Sequence, residues 1–544
     1  MRIGIDLDNT IINYDAAFIA AAQFFNLALP ANCKEKLHVK KIVLDLDGGE
    51  VIWQKIQGQV YSRFIKTHAC LYPGVKRFLL HCQINGHKVC VVSHKTLNGH
   101  FDENKTQIRD VALNFLCSSN LIGGTSPLIE GVYFEATREA KIDKIVNLDL
   151  EWFIDDLPEI ISALQNQKAL KKIIFSTNHE AIFSAPNNHC ASDWQQIDYL
   201  VNGVWEDFQI KALLLHSGES SIKSVQKISN GKNAGVYKID YDAGLTHKLK
   251  IYPPDLEHKR LLSESLACSV INKYYPGLAP DLLKKSESFD YALYKWVEGA
   301  SIKNHNRHDL KMSLDFLRNI NSIKNSDDFR TAPNASAACF SAQEIEDQLR
   351  KRLAKFSEAN KNFPMLEIFI SKNFIPVMER SITRAKKMLS ADNGFYKLLK
   401  RDEQILSPSD YGFHNMLQKS NGAICFLDFE YFGWDDPLKL MVDFSFHPAM
   451  NLKNEDRRYW LSGALSVYEI SSITRLRAIW PLYALNWCLI VLNEFRAEIL
   501  HRRLFANAVS LDGLSAYLSS QLHRSQEYLD KIVSKDFDEL LNTI

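Results

Sequence analysis

The sequence predicts an α/β first half that contains a parallel sheet, followed by an α+β second half with a small sheet and many helices. The first expectation rests on apolar, strand-like segments that each end in acidic or hydroxyl side chains. The second rests on strands and a glycine-containing turn after residue 222, ahead of a long region with helical patterning. At 544 residues the chain is too long for one hydrophobic core, so we expect two or three domains.

The chain opens with an apolar run that ends in Asp-x-Asp-x-Thr, formed by Asp6, Asp8 and Thr10. Because side chains alternate along a strand, both aspartates can project from its carboxyl end. Open α/β sheets place their ligands at that end. Two carboxylates and a hydroxyl there suit a divalent cation and a phosphate. A second Asp-x-Asp, Asp45-Leu46-Asp47, lacks the threonine, and we interpret it as part of an insert between the first and second motifs.

Three further polar features follow this motif in order. One strand-like segment ends in the hydroxyl of Ser93, and a later one ends in the paired carboxylates of Asp155 and Asp156. Between them, a predicted helix carries Lys141 and Lys144. We favour Lys141 as the functional lysine, because Lys144 lies nearly one turn further and is typical of a plain surface lysine.

These four motifs resemble those of the haloacid dehalogenase (HAD) superfamily, most of whose members are phosphatases. The resemblance covers residues 1–205 and implies a Rossmann-like parallel sheet with a helical cap inserted at about 14–72. It implies that Asp6 attacks phosphorus to form an aspartyl-phosphate, and that Asp8 is the general acid and base. The implied phosphate-binding residues are Thr10, Ser93 and Lys141. The implied Mg²⁺ ligands are Asp6, Asp8, Asp155 and Asp156.

The second half begins after a predicted linker at 206–221 that ends in small, polar residues. Gly231 lies in a strand–turn–strand segment, where its backbone could approach phosphate oxygens closely. Lys250 lies on the next predicted strand, with Lys248 as a rival on the same side. The following predicted helix carries Glu264.

The most specific pattern of this half lies further along the chain. Asp410 and Asn415 have the Asp-x4-Asn spacing of a kinase catalytic loop, and Asp428 follows Asn415 by thirteen residues. The segment from Leu427 to Asp443 resembles the corresponding region of the aminoglycoside phosphotransferase and choline kinase family. That family usually has a histidine near the aspartate, where this chain has Pro408-Ser409-Asp410.

This resemblance covers residues 222–544 and implies a bilobal, protein-kinase-like α+β domain. Its N-lobe would span 222–300 and its helical C-lobe 301–544. Asp410 would take the proton of the substrate hydroxyl. ATP would be bound by Gly231, Lys250 and Glu264, and Mg²⁺ by Asn415 and Asp428. For His414 two roles are open, contact with substrate and capping of a turn, and we favour the turn.

Charge, cysteine and hydropathy patterns exclude several classes. Lys and Arg total 65 against 64 for Asp and Glu, so we expect no nucleic-acid partner. The ten cysteines include no Cys-x-x-Cys pair, which favours reduced thiols and a cytoplasmic protein. The N-terminus runs straight into a strand, so we expect no signal peptide. The apolar stretch Ala478–Leu492 contains Pro481 and Asn486, and we expect a buried helix rather than a membrane span.

Together the two resemblances predict a bifunctional enzyme, a small-molecule phosphatase joined to an ATP-dependent small-molecule kinase. Sugar, polyol or surface-polysaccharide precursor metabolism is the setting that we consider. Two alternatives stay open: opposing activities on one substrate, and an active phosphatase with a nucleotide-binding regulatory pseudokinase half. A protein kinase is disfavoured, because no Ala-Pro-Glu segment follows Asp428. Substrate identity and oligomeric state are not predicted.

Overall fold

A computed structural model describes the chain in two compact units. Unit one comprises Met1–His258 and Lys284–Leu293, and unit two comprises Lys259–Leu283 and Tyr294–Ile544. The structure describes all residues except 31–32, 100, 102–104, 177–186, 231–234, 257–258, 497–498 and 501–512.

The strands that lie wholly or partly in unit one are β1 (Arg2–Ile5), β2 (Ile12–Asn13), β3 (Cys70–Leu71), β4 (Lys88–His94), β5 (Gly131–Glu135), β6 (Trp152–Asp155), β7 (Lys171–Phe175), β8 (Asn188–Ala191), β9 (Ile222–Asn230), β10 (Gly235–Tyr241), β11 (Thr246–Ile251), β12 (Leu282–Ser286) and β13 (Tyr291–Lys295). Its helices are α1 (Asp15–Phe24), α2 (Lys36–Leu44), α3 (Gly49–Gln59), α4 (Ile65–His68), α5 (Val75–Ile84), α6 (Ile108–Ser118), α7 (Arg138–Asn147), α8 (Pro158–Ala163), α9 (Trp194–Asn202) and α10 (Asp207–His216). A π-helix, Val60–Phe64, joins α3 to α4.

A parallel sheet with the strand order β5-β4-β1-β6-β7-β8 forms the first part of unit one, where a parallel sheet was predicted. The apolar β1 is central and pairs in parallel with both β4 and β6. Ile5 lies opposite Val91 on one side and Ile154 on the other. The carboxyl ends of these strands therefore meet at one edge, and Asp6 and Asp155 lie at that edge.

The insert after β1 is helical, as predicted for residues 14–72. The short strands β2 and β3 pair in antiparallel fashion at its base, and helices α1 to α4 lie between them. Phe18 of α1 stacks on Trp53 of α3 with the ring centroids 4.9 Å apart, which packs the helices together. Asp45 and Asp47 lie exposed at the end of α2 and in the turn before α3, outside the parallel sheet.

The predicted linker at 206–221 is wrong over most of its length. Residues Asp207–His216 form the helix α10, and a capping box between Glu206 and Gln209 lies at its start. Ile210, Leu213 and Leu214 of this helix are fully buried. Their i, i+3, i+4 spacing is that of a helix face packed on a core. Only the short stretch between α10 and β9 keeps the irregular backbone that its small polar residues predict.

The hydrophobic core of unit one continues past residue 205 into a second sheet, of order β12-β13-β11-β10-β9. β10 pairs in antiparallel fashion with both β9 and β11. Tyr237 of β10 and Leu249 of β11 belong to the same core cluster as Ile5 of the parallel sheet. The buried Arg77 of α5 also donates a hydrogen bond of 3.0 Å to the carbonyl oxygen of Tyr252. The two sheets therefore stabilise one another within unit one.

Unit two is mainly helical. Its remaining strands are β14 (Ala300–Ser301), β15 (Ile405–Ser407), β16 (Met416–Gln418), β17 (Ile424–Phe426) and β18 (Gly433–Asp435). Its helices are α11 (Lys259–Tyr274), α12 (Arg307–Ile323), α13 (Ala342–Ala354), α14 (Ser357–Asn362), α15 (Pro364–Ile368), α16 (Ile375–Met388), α17 (Pro437–Phe446), α18 (Asn454–Val467), α19 (Thr474–Leu492), α20 (Leu514–Val533) and α21 (Asp536–Leu541). A π-helix, Phe369–Phe374, precedes α16, and short 3₁₀ turns lie at Asp327–Phe329, Ala391–Asn393, Arg401–Glu403, Phe413–Asn415 and Asn493–Phe495.

The apolar stretch that was expected to be buried forms α19. Within the described residues, Thr474–Phe495 is the one helical segment long and apolar enough to cross a membrane, and 78% of its most apolar window is buried inside the structure. Helices α16, α17 and α20 pack against it. This burial is the property of a core helix in a large helical unit.

The helix that replaces the predicted linker gives a stability test. We expect Leu213→Ala to lower the free energy of unfolding of unit one by about 3 kcal/mol, because it removes a fully buried side chain and leaves a cavity. Leu215→Ala is the matched control on the same helix, since Leu215 is 48% exposed and should change stability little. Urea denaturation of the full chain measures both, and equal effects would contradict the observed packing of α10.

Candidate active sites

The first site is a cluster of three carboxylates at the carboxyl edge of the parallel sheet. Side-chain oxygens of Asp6, Asp155 and Asp156 all lie within 4.8 Å of one another. Asp6 directly follows β1, and Asp155 ends β6, so the parallel pairing of these neighbouring strands brings them together. Asp155 is completely buried, and its Oδ1 accepts a hydrogen bond of 2.9 Å from the backbone N–H of Leu157.

Lys141 lies between two of these carboxylates. Its Nζ donates hydrogen bonds of 2.6 Å to Asp6 Oδ1 and of 2.6 Å to Asp155 Oδ2. The side chain projects from α7, a helix that begins with Thr137 accepting a hydrogen bond from the Ala140 N–H. The alternative, Lys144, lies over the ring of Tyr133 instead, 4.3 Å from its centroid. Of the two lysines, Lys141 is the one that reaches the carboxylates.

The cluster carries more negative charge than one lysine can balance. Burial, together with the charge of Asp6, raises the pKa of Asp155 to about 7. Burial and the charges of Asp6 and Asp155 raise the pKa of Asp156 to about 8. Burial alone would lower the pKa of Lys141, but the two carboxylates raise it above its usual range. Carboxylate oxygens are the ligands that Mg²⁺ prefers, so the donor set of Asp6, Asp155 and Asp156 fits this ion.

Asp8 lies in a separate set of contacts beside this cluster. Lys95 Nζ donates to both of its oxygens, at 3.0 and 2.7 Å, and the Tyr14 hydroxyl donates to Oδ1 at 2.7 Å. The Lys95 ammonium also lies 4.6 Å from the ring centroid of Tyr61. None of these three residues was predicted from the sequence. The available signal for Lys95 was its position two residues after Ser93, on the same face at the end of β4.

The helical insert supplies part of this site. Tyr14 precedes α1, and Tyr61 lies in the π-helix of the insert. Burial lowers the pKa of Lys36 at the start of α2, and the charges of Asp156 and Asp8 partly offset that effect. The insert therefore lies against the acidic edge of the sheet and limits the space available there.

Two hydroxyl side chains complete the first site. Thr10 and Ser93 are both almost completely buried, Thr10 after β1 and Ser93 on β4. Among the described residues, no group forms a hydrogen bond with Thr10 Oγ1. The backbone of Thr10 is fixed, since its carbonyl oxygen accepts a hydrogen bond of 3.0 Å from Trp194 Nε1. A buried hydroxyl without a partner is unfavourable, and a phosphoryl oxygen would satisfy it.

The second site surrounds Asp410 in unit two, in the irregular segment after β15. His414 Nε2 lies 3.1 Å from Asp410 Oδ1, and His447 Nε2 lies 3.6 Å from the same oxygen. The two imidazole rings stack with their centroids 4.2 Å apart. Burial alone would raise the pKa of Asp410, but the hydrogen bond from His414 and the charges of both histidines lower it.

The β16–β17 hairpin brings Asn415 and Asp428 to the same end of two paired strands. Asn415 directly precedes β16, Met416 pairs with Phe426 of β17, and the Leu427 N–H donates a hydrogen bond of 2.8 Å to the Asn415 carbonyl. The Asn415 side-chain nitrogen donates to the backbone carbonyl of Asp410 at 2.9 Å. Its amide oxygen remains an acceptor that suits a cation. Asp428 follows with a positive φ of 64°.

The predicted ATP-binding residues are distributed over both units. Lys250 of β11 is buried in unit one, whereas Lys248 is partly exposed. Glu264 of α11 is completely buried in unit two. The pairing of Lys250 with Glu264 stays a prediction. Gly231 lies outside the described residues.

Several solved phosphotransferase structures resemble this chain distantly. No family model and no curated protein matches the sequence. A Plasmodium vivax ethanolamine kinase is 13% identical over 61% of this chain and 89% of its own, with a TM-score of 0.41. Spectinomycin phosphotransferase APH(9)-Ia, solved with ADP and spectinomycin, is 13% identical over 60% and 98%, with a TM-score of 0.42. Choline kinase LicA from Streptococcus pneumoniae is 12% identical over 59% and 99%, with a TM-score of 0.37. At these TM-scores nothing about the activity of this chain follows from the likeness.

The raised pKa values of the first site predict a pH-dependent response to Mg²⁺. At pH values above the ordinary carboxyl pKa, Asp155 and Asp156 are ionised in the unfolded chain. In the folded, metal-free protein they keep their protons up to a higher pH. Their contribution to stability therefore falls as pH rises toward about 7 for Asp155 and about 8 for Asp156.

Bound Mg²⁺ displaces those protons, so a fixed Mg²⁺ concentration should raise the melting temperature more at high pH than at low pH. Differential scanning calorimetry at about pH 6 and about pH 8.5 measures the difference. Asp156→Asn should reduce the pH dependence, whereas Asp45→Asn, in the exposed Asp-x-Asp, should leave it intact. An increase in melting temperature with Mg²⁺ that is equal at both pH values would contradict this description of the cluster.

Proposed function

We propose that the chain is a bifunctional enzyme with a phosphatase centre at Asp6 and an ATP-dependent small-molecule kinase centre at Asp410. The observation that carries the phosphatase proposal is the bridge of Lys141 between Asp6 and Asp155, with Asp156 close by. The resemblance to the HAD superfamily motifs agrees with this arrangement. A nucleophilic carboxylate, a fixed cation and a divalent-metal donor set are the parts that phosphomonoester hydrolysis needs.

In the phosphatase reaction, an oxygen of Asp6 attacks phosphorus and the bond to the leaving alcohol oxygen breaks. Asp8 in its protonated form donates a proton to that oxygen. Water then attacks the aspartyl-phosphate and gives its proton to Asp8, which restores Asp6 and releases phosphate. Lys141, Thr10 and Ser93 hold the phosphoryl oxygens as their charge develops. Mg²⁺, held by Asp6, Asp155, Asp156 and the backbone at Asp8, supplies further positive charge at the phosphoryl group when bound.

The contacts of Asp8 support its role as the base that takes a proton from water. Lys95 and Tyr14 hold its carboxyl group in one orientation, next to the nucleophile in sequence and at the same edge of the sheet. Tyr61 and Lys36 of the insert add to the enclosure. An enclosed site of this kind favours a small phosphate ester over a macromolecular substrate.

The observation that favours the second activity is the arrangement of Asp410 and Asn415 at the β16–β17 hairpin, where Asn415 binds the Asp410 backbone. Asp410 would accept the proton of an alcohol as the alcohol oxygen attacks the γ-phosphorus of ATP and ADP leaves. Asn415 and Asp428 would hold Mg²⁺ near the phosphates. ATP would be bound by Lys250, Glu264 and Gly231.

A crossed substrate screen tests the proposal. Wild type, Asp6→Asn and Asp410→Asn are incubated with Mg²⁺, a panel of sugar and polyol phosphates, and ATP with a panel of alcohols. Phosphate release and alcohol phosphorylation are measured separately. We expect Asp6→Asn to abolish only phosphate release and Asp410→Asn to abolish only phosphorylation. Asp45→Asn, an exposed aspartate of the same type, controls for the substitution itself.

The alternative functions give different outcomes in the same screen. If the kinase product is itself hydrolysed at Asp6, the two activities oppose one another on one substrate. If ATP binds to wild type but no alcohol is phosphorylated, unit two is a nucleotide-binding regulatory half. Phosphate release that survives Asp6→Asn would contradict the phosphatase proposal.

The two lysines of α7 give a quantitative prediction. Lys141→Met should lower phosphate release by about 100- to 1,000-fold, since it removes a donor that stabilises developing charge. Lys144→Met should have little effect, because Lys144 lies over Tyr133 and away from the carboxylates. Steady-state kinetics on the best phosphate ester measures both, and circular dichroism establishes that Lys141→Met is still folded. Similar losses in the two variants would contradict the assignment of Lys141.

A further inference from the structure

The two histidines beside Asp410 contact one particular atom of its carboxylate. Nε2 of His414 and Nε2 of His447 both approach Oδ1, at 3.1 and 3.6 Å. The sequence places these histidines more than thirty residues apart, and the fold stacks their rings almost parallel, at 5°. Pro408, two residues before Asp410, has neither a polar side chain nor an amide proton, so Pro408 itself offers no donor to the carboxylate.

The tautomer of neutral His447 follows from the hydrogen bond that its second ring nitrogen, Nδ1, accepts. His447 Nδ1 accepts a hydrogen bond of 3.1 Å from the backbone N–H of Ala449. An accepting ring nitrogen carries no proton, so neutral His447 carries its proton on Nε2 and donates it toward Asp410. A metal ion on Nε2 would require that proton to move to Nδ1, against the Ala449 N–H. The hydrogen bond from the Ala449 N–H to His447 Nδ1 therefore disfavours a metal ion on His447 Nε2.

The position of His447 is determined by α17 and its partners. The His447 N–H donates a hydrogen bond of 2.8 Å to the carbonyl of Asp443, at the end of that helix. Lys439 bridges the carboxylates of Asp435 and Asp443, at 3.1 Å each. At the start of the helix, Arg475 forms a bidentate pair with Asp436, at 2.9 and 2.6 Å.

The position of His414 depends on a glycine. A Cβ atom at Gly412 would lie 2.8 Å from two atoms of the His414 ring and 2.7 Å from Met450 Sδ. A side chain at residue 412 would therefore displace the ring from Asp410. The loop leaves space for this ring beside the carboxylate.

We propose that His447, together with His414, is a positioning residue for Asp410. The His414 Nε2–H donates a hydrogen bond to Oδ1, and the His447 Nε2–H faces the same oxygen from 3.6 Å. This arrangement orients the carboxylate and leaves Oδ2 to accept the proton of the attacking hydroxyl. The inference rests on the proposed kinase function of unit two. It assigns a role in proton transfer to a residue that does not itself contact ATP or the alcohol.

Kinetics of the full-length protein tests this role. Formation of ADP is followed with Mg²⁺–ATP, with the best alcohol of the screen and with water as acceptor. His447→Leu should lower kcat by roughly 10- to 100-fold and leave KM for ATP within about twofold, because the base is misplaced while ATP binding is untouched. His447→Gln should recover most of kcat, since its amide N–H reaches a similar position. His523→Leu, which replaces a histidine that is 77% exposed, is the control and should match wild type.

A second readout does not depend on turnover. In protein labelled with ¹⁵N-histidine, long-range ¹H–¹⁵N spectra should show the Nε2–H tautomer for His447, assigned by its loss in His447→Gln. Asp410→Asn should shift that signal and leave the His523 signal unchanged.

The outcomes separate the inference from the proposed function. A kcat loss in His447→Leu with recovery in His447→Gln supports positioning. Equal kcat in His447→Leu and wild type, or an Nδ1–H tautomer at His447, overturns it, even where Asp410→Asn abolishes phosphorylation. Phosphorylation that survives Asp410→Asn overturns the proposed kinase mechanism instead.

Discussion

The hydrogen bonds from Lys141 to Asp6 and Asp155 are the interaction on which the first site depends. Parallel pairing of β1 and β6 forces two strand ends, and hence two carboxylates, into one buried place. Like charges at this distance repel strongly where water is excluded. One ammonium group at 2.6 Å from each carboxylate offsets that repulsion. Burial, and after it the charge of Asp6, raises the pKa values of Asp155 and Asp156, and a divalent cation bound here would lower them.

Both candidate sites hold carboxylates in fixed positions, but different structural elements do so in each. In unit one, the acidic groups lie at the carboxyl edge of a parallel sheet. Lys141 of α7, Lys95 at the end of β4 and Tyr14 at the start of the insert donate hydrogen bonds to them. In unit two, Asn415 and Asp428 lie at the end of an antiparallel hairpin, and histidines hold Asp410. In both places, side-chain donors orient a carboxylate that we propose to be catalytic, as pre-organised chemistry requires.

The sequence predicted those parts of the fold and site that depend on local pattern. Residues at strand ends, such as Asp6 and Asp155, could be placed together because parallel strands end at one edge. Lys95 had a local signal that was not used, whereas Tyr61 and His447 reach the sites through tertiary packing that no local pattern encodes. The linker prediction failed because the polar residues after His216 were given more weight than the helical spacing of Ile210, Leu213 and Leu214.

The most direct test of the phosphatase centre asks whether Asp6 takes up a phosphoryl-like group. Beryllium trifluoride binds to a nucleophilic aspartate and resembles an aspartyl-phosphate, and ¹⁹F NMR detects the bound fluorides without any knowledge of the substrate. We expect bound signals in wild type with Mg²⁺ and none in Asp6→Asn, with Asp45→Asn behaving as wild type. Bound signals of equal intensity in Asp6→Asn, or none in wild type, would contradict the assignment of Asp6 as the nucleophile.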